Sequence, residues 1–466
     1  MVVGDFSHEK EVIIVGGGPG GYHAAIRAAQ LGKEVAIIEK NAIGGICLNN
    51  GCISSKLFAE AAKRMRDAAD LSSFGVTASS LSFDMSALQE RKETIITNLT
   101  KGVKALLNKY HVEMIKGEAT FLADNQIGVE RGESFEKYQF EQAVIATGAT
   151  YTRPDSVSME HKRILDPSTL YKLKELPEHL IVYGSDYQAV EAASTFSALG
   201  SQVTFAYKDE LPYDPAVTKE LLRLMKKHKI KVIKETSLEE CSPGDNDITV
   251  SFLSDSKEKT VTASHLYISC TQKPNTPSLR LDACGVNTDE YGFIPITPTT
   301  ETNQPHIFAV GDVTPNSELA VESIKQGKVA GERMAGEKSE WDPYAIPQVT
   351  HAIRPIASVG LTAESARKEG FDVAVGNFSL SANGYAALTN KKEGVIKIIS
   401  EKKTDVILGF QAIGEGSVEM ISQAVQSLEM GARDEDITYP FYPHPSFNEA
   451  WLEAAESLKN KAVHRV

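Results

Sequence analysis

The stretch VIIVGGGPGGYHAAIRAAQLGKEVAIIEK (residues 12–40) aligns without a gap with LIVYGSDYQAVEAASTFSALGSQVTFAYK (residues 180–208). Gly16 falls on Gly184, Gly32 on Gly200 and Val35 on Val203. In each stretch an apolar run meets a tight turn, a helical pattern follows, and a second apolar run closes the unit. That order is a βαβ unit. Two copies predict an α/β chain with two doubly wound, Rossmann-like domains, each with a nucleotide-sized crevice beyond the carboxyl ends of its strands. At 466 residues the chain also exceeds what one ordinary core encloses.

The first copy keeps every part that dinucleotide binding needs. Gly16, Gly18 and Gly21 form G-x-G-x-x-G between strand and helix. The first glycine permits the turn, the second lets a pyrophosphate reach the backbone, and the third lets helix pack on strand. The helix N-terminus then offers free N–H groups to phosphate. Glu39 ends the second strand, where a carboxylate meets ribose hydroxyls. The second copy has lost most of this. Asp186 replaces the second glycine, Ala189 the third and Tyr207 the acid. A carboxylate about 4 Å from a phosphate costs roughly 1–4 kcal/mol, depending on burial. Ser185 and Asp186 are both N-cap residues, and Ser185-x-x-Gln188 fits a capping box, so this helix is expected to satisfy its own N–H groups.

Four residues beyond the first copy comes GGICLNNGCISSK (44–56), with Cys47 and Cys52 read as lying on one helix after a glycine pair. A metal centre needs further Cys or His nearby, and none follows, so no metal is expected. Two cysteines this close to a nucleotide unit point to a redox-active pair, one thiolate for substrate and one for the acceptor; two packed thiols are the alternative. Five cysteines in the whole chain make no disulfide framework, and Cys241, Cys270 and Cys284 read as small buried apolar residues. The net charge of -13 offers no basic excess for nucleic acid. The N-terminus lacks a signal-peptide pattern, and no stretch approaches the ~18 apolar residues of a membrane span. A cytoplasmic protein without nucleic-acid or membrane partners is expected.

The segment from Gly44 to Lys56 resembles the redox segment GGxCLNxGCIPSK of the flavin-dependent pyridine nucleotide–disulfide oxidoreductases, with Ser54 in place of proline. Within that family the dihydrolipoyl dehydrogenases are the most similar. VIATGAT (144–150), TNQPHIFAVGD (302–312), IPQVTHAIRPIASVGLT (346–362) and HPSFNEAWLEAA (444–455) extend the resemblance along the whole chain, and the opening MVVGDF is similar to the start of some bacterial members from pyruvate dehydrogenase complexes. The resemblance implies an FAD-binding domain over 1–150, an NAD(P)-type domain over 151–275, a central segment over 276–345 returning to FAD, and an α+β dimerisation domain over 346–466. It implies FAD contacts from Gly16, Gly18, Gly21, Glu39, Lys40, Gly45, Lys56, Gly117, Ala119, Thr147, Gly148, Glu191, Asp312 and Ala320. Cys47 becomes the interchange thiol and Cys52 the one beside the flavin. Lys56 and Glu191 pair near the flavin. His444, oriented by Glu449, becomes the general base, reaching the disulfide of the other subunit in a homodimer. The implied substrate is a small dithiol or a lipoyl-bearing one, with a 2-oxoacid dehydrogenase complex as a possible partner.

Departures from the family gather on the nicotinamide side. Besides Asp186 and Tyr207, Thr271 and Gln272 in CTQKPN (270–275) replace a glycine and an arginine. Elsewhere AIRPIA (352–357) stands for TxPEIA, Tyr385 for an arginine and Tyr442 for a histidine. Weak or absent binding of NAD(H) and NADP(H) is therefore expected. The alternatives are an NAD(P)H-dependent reductase of another small disulfide or oxidant, and a non-catalytic flavoprotein paralogue. Mercuric and large thioredoxin reductases need a C-terminal cysteine pair, and no cysteine follows Cys284.

Overall fold

The computed structural model describes residues 7–154, 157, 160–254 and 257–464, so the MVVGDF opening lies outside it. The chain gathers into two compact units. The first holds the residues up to Leu57, Ser86–Pro154 and Cys270–Pro343; the second holds Phe58–Met85, Asp155–Ser269 and Tyr344–Val466.

The first unit is built on a seven-stranded sheet. Its parallel part runs Glu113–Lys116, Val35–Glu39, Ser7–Val15, Ser134–Ile145 and Ile307–Ala309, and Gln126–Arg131 and Glu118–Ala123 add antiparallel to one edge. Val12, Ile13, Ile14 and Val15 read as an unbroken apolar run because both faces of a parallel sheet are covered. The helix Pro19–Gln30 covers one face with Ala24, Ala25 and Ala28, which have no exposed surface.

The second unit repeats the plan. Lys231–Ile233, Gln202–Ala206, His179–Tyr183, His265–Ile268 and Ile164–Leu165 form a five-stranded parallel sheet, with Tyr187–Leu199 as the crossover helix. The two copies agree to the residue. Val12 faces Val35 across the first strand pair, and their counterparts Leu180 and Val203 face each other across the second. A separate antiparallel meander spans Ser237–Pro243, Ile248–Ser254 and Lys257–Ala263. Cys241 lies on its outer strand and is half-buried, as is Cys270; only Cys284 is fully buried, which corrects the expectation of three core cysteines. The C-terminal part is a five-stranded antiparallel sheet ordered Gln348–Thr350, Ile356–Gly360, Ile407–Gly414, Gly394–Glu401 and Val373–Ser379. Helices Ser417–Glu429 and Glu449–Ser457 pack on it, and Trp451 sets its edge on Phe410 at 5.1 Å between ring centroids. Among the described residues no helix is long and apolar enough to cross a membrane.

Candidate active site

The two βαβ turns differ where a ligand would meet them. At the first, Gly18 is the N-cap of helix Pro19–Gln30, no side chain caps it, and the first turn holds no acidic residue. Its N–H groups remain available to an anion. A Cβ on Gly21 would stand 1.9 Å from the Gly16 carbonyl oxygen, and one on Gly16 2.3 Å from that of Ala146. Those two glycines are therefore required by packing. A Cβ on Gly18 would meet nothing closer than Gly45 Cα at 3.8 Å, so this glycine is not required by the protein itself. Gly45 answers to packing again, since its Cβ would lie 2.7 Å from Gly18 Cα. Glu39 accepts the Gly17 N–H at 2.7 Å and the Asn41 N–H at 2.6 Å, which fixes its carboxylate beside the turn with lone pairs left for hydroxyl donors. Lys40 is ion-paired with Glu118 at 3.3 Å. Ala119 is buried in the core, and a Cβ on Gly117 would strike Val129, so both have only backbone to offer a ligand.

Further along the same unit, Thr147 Oγ1 is sealed from solvent without a hydrogen-bond partner, and open space lies beyond Gly148. Asp312 follows the strand Ile307–Ala309, and burial pushes its carboxyl up to about 6. Two residues that sequence reasoning missed hold this corner. Gln326 Oε1 accepts the Gly311 N–H at 2.6 Å, and Ser323 Oγ lies 3.5 Å from Asp312 Oδ1. Both are buried on the helix Ala320–Met334, whose first residue is the expected contact Ala320. Polar residues three apart on the inward face of that helix were the available signal. An uncapped helix N-terminus, an unfilled cradle at Gly18, an unsatisfied Thr147 hydroxyl and a buried carboxylate fit a flavin dinucleotide.

Cys47 and Cys52 do not share one helix as expected. Cys47 lies in the short helix Gly45–Asn49, and Cys52 opens the next helix, Cys52–Ala68. The break falls at Asn50 and Gly51, and a Cβ on Gly51 would press to 3.1 Å on the Ile46 carbonyl oxygen. The two residues are free thiols, hydrogen-bonded to each other. That bond, then Lys56 one helical turn on, pulls Cys52 down to about 7 against the effect of burial. The same bond and burial push Cys47 up. The pair thus has an intrinsic asymmetry, with the thiolate on Cys52 at a helix N-terminus.

In the second unit His444 and Glu449 are brought together. His444 Nδ1 bonds Glu449 Oε1 at 2.8 Å, while Glu449 Oε2 accepts the Ser446 N–H at 2.9 Å. Burial would raise the Glu449 carboxyl, but the bonds from His444 and Ser446 outweigh it and leave it lowered. An ionised Glu449 draws the proton to Nδ1 and leaves Nε2 as the basic nitrogen. The imidazole is 80% exposed. Asn383, which sequence reasoning also missed, is buried and donates from Nδ2 to the Ser446 carbonyl at 3.0 Å, tying down the loop that carries the dyad. Tyr385 stacks edge-on against Phe447 at 5.1 Å, and the Tyr442 hydroxyl donates to the Ile437 carbonyl, so both unusual tyrosines brace the same loop. Tyr439 and Phe441, just before it, are 91% and 103% exposed.

The second βαβ turn is capped by its own side chain. Asp186 is the N-cap of Tyr187–Leu199 and accepts the Ala189 N–H at 2.7 Å. The expected capping box at Ser185 is displaced by one residue: the helix begins at Tyr187, and Gln188 bonds the Tyr187 hydroxyl instead. Burial pushes the Asp186 carboxyl above its ordinary range. Tyr207, at the position of the ribose-binding acid, is 6% exposed and packs on Phe205. Glu191 is buried, and its Oε1 accepts the His351 N–H at 2.8 Å. Among the described residues no group of three or more His, Cys, Asp or Glu gathers as a metal site.

Residues 10–327 match the family model of pyridine nucleotide-disulphide oxidoreductases, and residues 346–455 match that of their dimerisation domain. The chain is 35% identical to dihydrolipoyl dehydrogenase of Geobacillus stearothermophilus over 100% of its own length and 99% of the relative's. It is 35% identical to the Bacillus subtilis (strain 168) dihydrolipoyl dehydrogenase, each covered in full. Among solved structures, LpdA from Mycobacterium tuberculosis superposes with a TM-score of 0.89 at 23% identity, covering 96% of this chain and 99% of that one. The HOCl-induced flavoprotein disulfide reductase RclA from Escherichia coli gives 0.86 at 25% identity, over 97% and 99%.

Proposed function

Given that the chain belongs to the pyridine nucleotide-disulphide oxidoreductase family, we propose that it oxidises a small dithiol of the lipoyl class through Cys47 and Cys52, with FAD as acceptor, and uses nicotinamide dinucleotides weakly or not at all. The observation that carries the second half is the contrast between the two turns. The helix after Gly18 has no side-chain cap, whereas the helix after Asp186 is capped by that residue's own carboxylate.

The proposed chemistry is carried by the chain's own residues. With Cys47 and Cys52 joined as a disulfide, Nε2 of the partner subunit's His444 takes a proton from one substrate thiol. The resulting thiolate attacks Cys47 Sγ, the Cys47–Cys52 bond breaks, and Cys52 leaves with the electron pair. The second substrate thiol, deprotonated in turn, attacks the substrate sulfur of the mixed disulfide and expels Cys47. The substrate leaves as a disulfide, and the pair of electrons now rests on the protein dithiol. Cys52 carries them best as thiolate, since the Cys47 thiol and Lys56 both favour its charge. FAD supplies a two-electron acceptor for that pair. Glu449 keeps His444 in the tautomer that can take the proton.

Tyr439 and Phe441, shortly before His444 in the chain, are exposed aromatic side chains that a second subunit would cover. We place the complete active site in a homodimer, as the dimerisation domain supports. The intact thiol pair and dyad speak against a non-catalytic paralogue, which has no use for them. Anaerobic mixing of the purified protein with dihydrolipoamide, NADH or NADPH, followed by flavin absorbance, tests the proposal. Reduction by the dithiol alone is expected. Rapid reduction by NADPH would favour a reductase of another oxidant, a reading supported by the likeness to RclA. No reduction by any donor would overturn both.

A further inference from the structure

Away from the thiols and the dyad, the second unit gathers an excess of positive charge around one half-buried arginine. Arg66, on the helix Cys52–Ala68, has Nη1 sealed from solvent with no hydrogen-bond partner. Burial and then repulsion from Arg354 pull its guanidinium down to about 10. The carboxylates around it are already taken. Glu415 is held by Lys63 at 2.6 Å, Asp67 by Lys391, and Glu393 by both Lys227 and Arg354, the latter at 2.7 Å. Five cations, Lys63, Arg66, Lys227, Arg354 and Lys391, therefore meet three carboxylates, Asp67, Glu393 and Glu415. His228 stands in the same field, and burial, then Arg66 and Arg354, push its imidazole toward the neutral form. A sealed guanidinium N–H without an acceptor is costly, and a bound anion would complete it.

Glu393 and Lys227 also line a pocket of about 760 Å³, within the range of small-molecule sites. Its wall includes Lys219, Arg223, Glu220 and Lys392. Arg223 is spent on Glu220 at 2.7 Å, which leaves Lys219 and Lys392 as exposed cations at the pocket. We propose that this region is a binding site for a phosphate-bearing small molecule, its phosphoryl group held by Arg66, Arg354 and His228 and its remainder in the adjoining pocket. A dianionic oxyanion supplies the acceptor that Arg66 Nη1 lacks and offsets the excess of two positive charges. Planar guanidinium groups are suited to that shape, and phosphate accepts from two at once. The site shares no residue with either βαβ turn, the thiol pair or the His444 dyad.

The test is calorimetric titration of the FAD-loaded, full-length protein in phosphate-free buffer of low ionic strength, with inorganic phosphate and with glucose 6-phosphate. One site per chain is expected. Arg66→Gln should weaken both ligands at least about tenfold, the loss expected for one charged hydrogen bond. Should Arg66→Gln fail to load FAD, His228→Gln, on a different helix end, is read in its place and should weaken both ligands severalfold. Lys392→Gln should weaken glucose 6-phosphate and leave inorganic phosphate unchanged; equal affinity of the two ligands would confine the site to the free ion and overturn the pocket's share in it. Absence of binding up to ~10 mM, or affinity that Arg66→Gln and His228→Gln both leave unchanged, overturns the proposal.

Discussion

Replacing Asp186 by glycine is expected to reopen the second nucleotide site. In the protein the carboxylate sits where the backbone would receive a pyrophosphate, and it accepts the Ala189 N–H at 2.7 Å. Two unit charges about 4 Å apart repel by roughly 1 kcal/mol in water and 4 kcal/mol at the dielectric of a partly buried site. At 1.4 kcal/mol per factor of ten, Asp186→Gly should tighten NADH between about fivefold and a thousandfold. The backbone imposes no obstacle, since Asp186 has an extended φ of -75°. Losing the cap costs only a few tenths of a kcal/mol when glycine is the replacement. Asp186→Asn separates the causes: it keeps the cap and the volume and removes the charge, so its gain measures repulsion alone. The wild-type affinity should also rise as pH falls, because burial holds this carboxyl above its ordinary range and protonation removes the repulsion. Asp186→Asn should lack that slope. Calorimetry with NADH on the three proteins decides the matter. Micromolar binding by the wild type, or equal weak binding by all three, would refute the reasoning.

Other consequences are as direct. Gly18→Ala should fold normally, because the nearest atom to its Cβ is 3.8 Å away, yet lose flavin on dialysis; Gly21→Ala, with 1.9 Å to the Gly16 oxygen, should lose stability as well. Flavin absorbance and urea melts distinguish them. Alkylation of the reduced protein by iodoacetamide should fall away as pH drops below about 7, where Cys52 becomes protonated, and Cys52→Ser should shift the remaining profile upward. Glu449→Gln should slow dithiol oxidation by roughly 10²–10⁴-fold with flavin content unchanged. Asp312 titrates at about 6 in the fold and near 3.8 unfolded, so its ionisation destabilises the flavin-free chain as pH rises through that window. At pH 8 Asp312→Asn should therefore stabilise the flavin-free chain by up to about 3 kcal/mol, and the advantage should vanish below pH 4, as urea melts at several pH values will show.

How much of this was legible in the sequence depends on what each residue answers to. The two βαβ units were visible because a parallel strand, a turn and a crossover helix each leave a local pattern, and Val12 and Leu180 carry it in the same register. The cap on the second helix was legible in kind and off by one in place, since Ser185 and Asp186 are both good caps and only the backbone decides between them. The break between Cys47 and Cys52 was missed although Gly51 announced it. Gln326, Ser323 and Asn383 escaped because their work is done across the fold, on backbone groups far away in sequence. Arg66 was invisible for the same reason: nothing in RMRDAA tells a solvated arginine from one stranded among other cations.

The side-chain cap at Asp186 also bears on how the chain is assembled in the cell. A helix whose first N–H groups are satisfied by its own carboxylate needs no ligand to complete it. The helix after Gly18 has no such provision, so the first unit gains stability by mass action from whatever flavin is at hand. When flavin is scarce, the protein should therefore melt at a lower temperature than when flavin is plentiful. Supply of the vitamin precursor would then set the abundance of the intact protein as well as its activity.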